Sequence, residues 1–202
     1  MLNVYPMFAY LMANETLVDV DNTKLLEYAY KLKNENPYGR HHSNRLGWQS
    51  DYVEDAQELQ DLLSAIKNTF IEPEDALREM YGFKKNTGLF IDSAWININT
   101  PYSYNAPHSH PGSFLSGVYY VKVPENSGGL FFNSPSPVQG MYTPQHLIEH
   151  FSPHNCLKWN IPNQESQALI FPAWMEHYVS QNLSKEDRVS IAFNISVVGN
   201  DK

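Results

Sequence analysis

Hydrophobic positions repeat at helical spacing in the first part of the chain and at strand spacing in the rest. Residues 2–10 carry Val4, Tyr5, Phe8 and Tyr10 and predict a short strand interrupted by Pro6. Leu25, Tyr28, Ala29 and Leu32 then recur every three or four residues behind Asp21 or Asn22, either of which can cap a helix over about 23–34. Asn34-Glu-Asn-Pro37 ends it, and residues 38–50 read as a polar loop. Leu59, Leu62, Leu63 and Ile66 predict a second helix over about 53–69. Pro73 suits the first turn of a third, with Leu77, Met80 and Tyr81 on its apolar side and Gly82 as its stop.

From residue 87 the period changes. Trp95, Asn97 and Asn99 fall on one face, and Ala94, Ile96 and Ile98 on the other, so residues 89–99 predict a strand with one buried face. Strands follow at about 114–123 and 129–133, joined by the turn Pro124-Glu-Asn-Ser-Gly-Gly129. The proline-rich segment 134–156 reads as loop, and the last strands fall at about 157–161, 167–171, 177–182 and 188–198. This is an α+β chain, mainly β: a single domain over 1–202, with a helical annex (1–86) and a β-barrel or two-sheet core (87–198). The helices are expected to pack outside the barrel.

Composition narrows the function. A net charge of −8 with no Lys/Arg cluster beyond Gly39-Arg-His-His-Ser-Asn-Arg45 argues against nucleic acid as a partner. Cys156 is the only cysteine, which excludes an internal disulfide and a cysteine zinc site and fits a reducing compartment. No apolar run is long enough to span a membrane, and the N-terminus does not read as a signal peptide, so the expectation is cytoplasmic. Aromatic residues make up 13%, which suits a β-rich core with large side chains.

Candidate chemistry centres on Asn105-Ala-Pro-His-Ser-His-Pro-Gly-Ser113. In extended chain, residues two apart point to the same side, so His108 and His110 can converge on one metal ion. Phe171-Pro-Ala-Trp-Met-Glu-His177 ends a β-run, turns, and delivers a third histidine. On the final strand, Val189, Ile191, Phe193 and Ile195 form an apolar face, while Arg188, Ser190, Ala192, Asn194 and Ser196 form a polar one. An arginine fork with a serine hydroxyl on the same side can hold a carboxylate. His41 and His42 read as a solvated or capping pair. His146, His150 and His154 share helical spacing, but Pro144 and Pro153 favour a solvated short helix or loop.

These stretches, in this order, resemble the iron(II)- and 2-oxoglutarate-dependent dioxygenases over roughly residues 89–198. The match is nearest to a small 2-oxoglutarate/Fe(II) oxygenase family of phages and bacteria. It rests on Gly47-Trp-Gln-Ser50, His108-Ser-His-Pro, Ser116-Gly-Val-Tyr-Tyr-Val121, Phe171-Pro with His177, and Arg188-Val-Ser-Ile-Ala-Phe-Asn194. The resemblance implies a distorted double-stranded β-helix, a jelly-roll or cupin-like barrel with Fe(II) at one mouth. It implies His108 and His177 as ligands, Arg188 and Ser190 as holders of the far carboxylate of 2-oxoglutarate, and Tyr119 as a second contact to it. The implied reaction is a hydroxylation in which O2 and 2-oxoglutarate give succinate and CO2. By analogy with the family, the substrate would be a prolyl or other amino-acid residue in a protein. The chain departs from the usual two-His, one-carboxylate triad by placing His110 at the carboxylate position, as ligand or as lining. Aspartyl/asparaginyl β-hydroxylases also lack that carboxylate. Trp95, Tyr102, Tyr104, Tyr120 and Trp174 are the aromatics that could meet a substrate. A cupin and a non-catalytic barrel are the rival readings; a cupin would usually carry a glutamate where Phe114 and Leu115 stand.

Overall fold

A computed structural model describes residues 10–72 and 76–199. The expected strand at 2–10 and the position of Pro73 lie outside the described residues, apart from Tyr10. The described residues open with β1 (Ala13–Thr16) and α1 (Asn22–Glu35). Asp21 caps α1, accepting from the backbone N–H groups of Thr23 and Lys24 at 3.0 and 3.2 Å. The loop 38–50 contains two very short strands, β2 (Asn44–Arg45) and β3 (Trp48–Gln49).

The second expected helix starts later than its periodicity suggests. Ser50 and Val53 donate backbone hydrogen bonds to Ile96 and Ala94, so this stretch is tied to a strand before any helix forms. A 3-10 turn (Gln57–Leu59), α2 (Gln60–Ile66) and a π-helical turn (Lys67–Ile71) then share the predicted span. α3 (Ala76–Tyr81) ends before Gly82, whose φ of +67° terminates it as expected.

The β part comprises β4 (Thr87–Asn99), β5 (Tyr104–His108), β6 (Leu115–Lys122) and β7 (Leu130–Asn133). A loop with a short helix, α4 (Gln139–Tyr142), and a 3-10 turn (Gln145–Leu147) leads to β8 (Lys158–Ile161), β9 (Gln167–Pro172), β10 (His177–Val179) and β11 (Arg188–Gly199). Two antiparallel sheets result, with strand orders β1-β9-β6-β11-β4-β3 and β2-β5-β10-β7-β8. β10 is shorter than its hydrophobic run predicts. Beyond Val179, Ser180 and Asn182 bond to Gly129 and Ser103, and the chain turns away from the ladder.

The two faces of the larger sheet have different fates. Ala94, Ile96, Ile98, Tyr119, Ile191 and Phe193 join Leu25 and Ala29 of α1 and Leu62 and Ile66 of α2 in one core cluster. Burial of this apolar face against the helices is the main hydrophobic contribution to the fold. The opposite face looks across to the smaller sheet, and a cavity of about 320 Å³ lies between them. Among the described residues no helix is long and apolar enough to cross a membrane.

Candidate active site

β5 and β10 pair antiparallel, and His108 is the direct partner of His177. Their ring centroids are 4.3 Å apart. His110 lies two residues beyond the end of β5, and its backbone N–H donates to the Ala173 carbonyl at 2.8 Å. That bond anchors the loop after β5 and returns the His110 ring to 5.1 Å from each of the other two. One nitrogen from each of the three rings lies within 4.8 Å of the others, the one such metal-competent group among the described residues.

The hydrogen bonds select which nitrogen each ring offers. His108 Nδ1 meets the Ala106 carbonyl at 2.8 Å, and His177 Nδ1 meets the Met175 carbonyl at 2.9 Å. A carbonyl only accepts, so both rings carry their proton on Nδ1 and keep Nε2 for a ligand. All three are held neutral. Burial pushes His177 down to about 3, assisted by neighbouring His108. Burial also lowers His108, with a smaller contribution from His110, and lowers His110 against the opposing bond to Asn194. Neutral imidazoles are the state a metal requires.

The same cavity is lined by a buried cation. Arg188 is 1% exposed and donates from Nη1 to the Ser127 carbonyl at 2.7 Å. It has no carboxylate partner among the described residues. Burial lowers it to about 10, with Tyr120 acting in the opposite direction, so it stays charged at neutral pH. A buried, unpaired guanidinium is costly, and a bound carboxylate would relieve that cost. Ser190 and Asn97 are cross-strand partners on β11 and β4 and line the cavity beside it. Asn97 Oδ1 is buried with no hydrogen-bond partner.

The sequence and the structure disagree at Tyr119. It does not line the cavity. It is fully buried in the helix-side core, and its hydroxyl donates to Asn22 Oδ1 at 2.8 Å. Strand parity is the cause: on β6, Val118 and Tyr120 face the cavity, and Tyr119 faces α1. Tyr120 is the tyrosine beside Arg188. Of the other aromatics, Trp95 lines the cavity, whereas Tyr102, Tyr104 and Trp174 are exposed and stand outside its lining. His42 reaches the cavity mouth; His146, His150 and His154 are exposed and away from it.

Several cavity residues escaped the sequence reading. Tyr52 packs edge-on to Trp95 at 6.1 Å, and Trp95 sits 5.5 Å from His110, making an aromatic rim beside the histidines. Gln49 and Asn105 are buried polar residues on the lining. The polar alternation of Asn97 and Asn99 with buried isoleucines was the available signal for that wall, and Gln49 lay within a motif of the family resemblance. Tyr52, in a stretch with no clear periodicity, gave none.

Comparisons with known proteins bear on the same region. The family model described as "Putative 2OG-Fe(II) oxygenase" matches residues 93–194. A search of curated protein sequences finds no match. Among solved structures, a Pseudomonas putida prolyl-4-hydroxylase superposes with a TM-score of 0.61 at 11% identity, covering 93% of this chain and 92% of that one. A Trichoplax adhaerens prolyl hydroxylase, solved with a hypoxia inducible factor oxygen degradation domain peptide, gives 0.60 at 13% identity, covering 92% and 83%. HygX from Streptomyces hygroscopicus, solved with nickel and 2-oxoglutarate, gives 0.55 at 10% identity, covering 93% and 83%.

The double-stranded β-helix expected from the sequence is therefore the fold, and the cupin and non-catalytic readings give way. The donor set fits the family's cofactor and co-substrate: neutral imidazoles suit Fe(II), and a buried unpaired arginine suits a dicarboxylate. With half the chain matched by the family model and the architecture shared throughout, this protein belongs to the 2-oxoglutarate- and Fe(II)-dependent oxygenases, oxidoreductases that use O2.

Proposed function

We propose that the protein is a hydroxylase acting on an amino-acid residue within a peptide or protein. His108, His110 and His177 would hold the iron, and Arg188 with Ser190 would hold the distal carboxylate of 2-oxoglutarate. The observation that carries this reading is that three convergent imidazoles and a buried guanidinium with no carboxylate partner line one cavity. A dicarboxylate bound between them would satisfy both.

The iron, when bound, supplies the activation of O2 that couples loss of CO2 from 2-oxoglutarate to oxidation of the substrate. The net change is substrate C–H, O2 and 2-oxoglutarate to substrate C–OH, succinate and CO2. The chain's own residues bind and orient. Arg188 and Ser190 fix the far carboxylate. Val118, Leu130, Phe171 and Val179 line the cavity with apolar surface that keeps water away from the reacting groups. Tyr52 and Trp95 offer flat apolar faces at the rim, suited to a compact side chain on an extended peptide. Two of the structural relatives are prolyl hydroxylases, and one was solved with a peptide, which supports this substrate class.

The test is a screen of iron-loaded protein against peptide pools, with succinate measured by NMR and a mass gain of one oxygen sought in the peptide. Substrate-stimulated succinate with an oxidised peptide is expected. Turnover stimulated only by free small molecules would overturn the peptide assignment.

A further inference from the structure

His110 is the only one of the three histidines whose Nδ1 contacts side chains instead of a backbone carbonyl. It lies 2.7 Å from Asn194 Oδ1 and 2.7 Å from Ser116 Oγ, and Ser116 itself donates to Asn194 Oδ1 at 2.8 Å. The network continues away from the cavity. Asn194 Nδ2 donates to Ser93 Oγ at 3.0 Å, and Ser93 donates to Asp92 Oδ1 at 2.8 Å. Ser196 donates to the other oxygen of Asp92.

Asp92 reaches this position through a backbone irregularity. On the β4–β11 ladder, Asn194 pairs with Ser93 and Ile195 with Ile91, so Asp92 is an extra, bulged residue. In a regular strand, neighbouring side chains point to opposite faces. The bulge re-aims Asp92 so that its carboxylate serves Ser93 and Ser196 together.

The polarity of the chain then follows from one end. A carboxylate accepts and does not donate, so Ser93 must give its proton to Asp92. Ser93 Oγ is left as the acceptor for an N–H, which obliges Asn194 to present Nδ2 to it. Asn194 therefore turns Oδ1 toward His110, and His110 must donate from Nδ1. The geometry points to Asp92 as a remote positioning residue: through Ser93 and Asn194, it fixes the tautomer of His110 that leaves Nε2 free for the metal.

This inference rests on the proposed role of His110 as a ligand and adds a reason why a histidine can serve at that position. The usual carboxylate brings its charge to the metal directly. Here the carboxylate stands at the end of a polarised chain, which orients the imidazole and raises its basicity.

The test combines tautomer spectroscopy with a metal-affinity cycle on full-length protein. Two-bond 1H–15N correlation spectra of the metal-free protein report the tautomer, with the His110 signal assigned through His110→Gln. The expected wild-type state is protonated Nδ1; Asp92→Asn, whose amide can also donate, should give a mixture. Co(II) titration should show affinity weakened roughly 10-fold in Asp92→Asn, the lower end of the usual effect of such partners. Ser93→Ala, which cuts the chain at its middle, should reproduce the loss and stands in if Asp92→Asn does not fold. In a His110→Ala background, Asp92→Asn should cost nothing further. An equal loss in that background, or an unchanged tautomer and affinity in Asp92→Asn while His110→Ala weakens binding, would overturn the proposal and leave the three-histidine site standing. Unchanged Co(II) affinity in His110→Ala would instead remove the ligand role of His110, and this proposal with it.

Discussion

His108 and His177 are direct partners across the antiparallel β5–β10 pair, and each donates its Nδ1 proton to the carbonyl two residues before it. Backbone register, not loop conformation, therefore sets their separation, and local hydrogen bonds set their tautomers. A site built on paired strands is held more firmly than one carried by loops.

Metal binding should fail when either half of this pair is removed. His177→Ala is expected to abolish Fe(II) or Co(II) binding, measured by metal analysis after desalting. The substitution leaves the backbone ladder of β5 and β10 intact, so far-UV circular dichroism should stay that of the wild type. Full metal occupancy in the variant would show that the imidazoles at positions 108 and 110 suffice without it.

Arg188 and Tyr120 should govern the co-substrate, and Tyr119 should not. Arg188→Ala would leave the distal carboxylate unpaired in the cavity, at a cost of about 2–5 kcal/mol in 2-oxoglutarate binding. Tyr120→Phe removes a hydroxyl beside Arg188 and should weaken the same binding by about 0.5–1.5 kcal/mol. Tyr119→Phe breaks the bond to Asn22 on α1, so it should lower unfolding stability by about 1 kcal/mol and leave 2-oxoglutarate affinity unchanged. Calorimetric titration with denaturant unfolding on the three variants separates these outcomes. A loss of affinity in Tyr119→Phe but not Tyr120→Phe would contradict the parity of β6.

Gly117 is a packing requirement on the same strand. A Cβ there would lie 2.2 Å from Phe193 Cζ and 2.8 Å from the Leu169 carbonyl oxygen. The backbone oxygen cannot swing away as a side chain can. Gly117→Ala should therefore destabilise the fold by about 1–3 kcal/mol through overpacking, seen as a lower urea midpoint. An unchanged midpoint would mean that β6 and β11 can separate locally without cost.

Periodicity by itself determined most of the architecture. The alternation of β4 and β11 is a local property of extended chain. One apolar face and one polar face were therefore readable before either strand had a partner, and the polar face of β11 did become cavity wall. The capped helix α1 was equally local, because Asp21 satisfies N–H groups of its own first turn. His108, His177, Arg188 and Ser190 stood out because their spacing and order carry the family pattern.

What depended on pairing could not be read this way. Two-residue strands such as β2 and β3 have no period, and Val53 left the predicted helix because a neighbouring strand offered it a hydrogen bond. The choice between Tyr119 and Tyr120 is one residue of parity. It was decided by which face of β6 met α1 and which met the smaller sheet. The turn that brings His110 back to the other histidines depends on the Ala173 carbonyl, and the bulge at Asp92 appears only when β4 is laid against β11. In each case the deciding partner is remote in sequence, so the information lies in the packing and not in any local pattern.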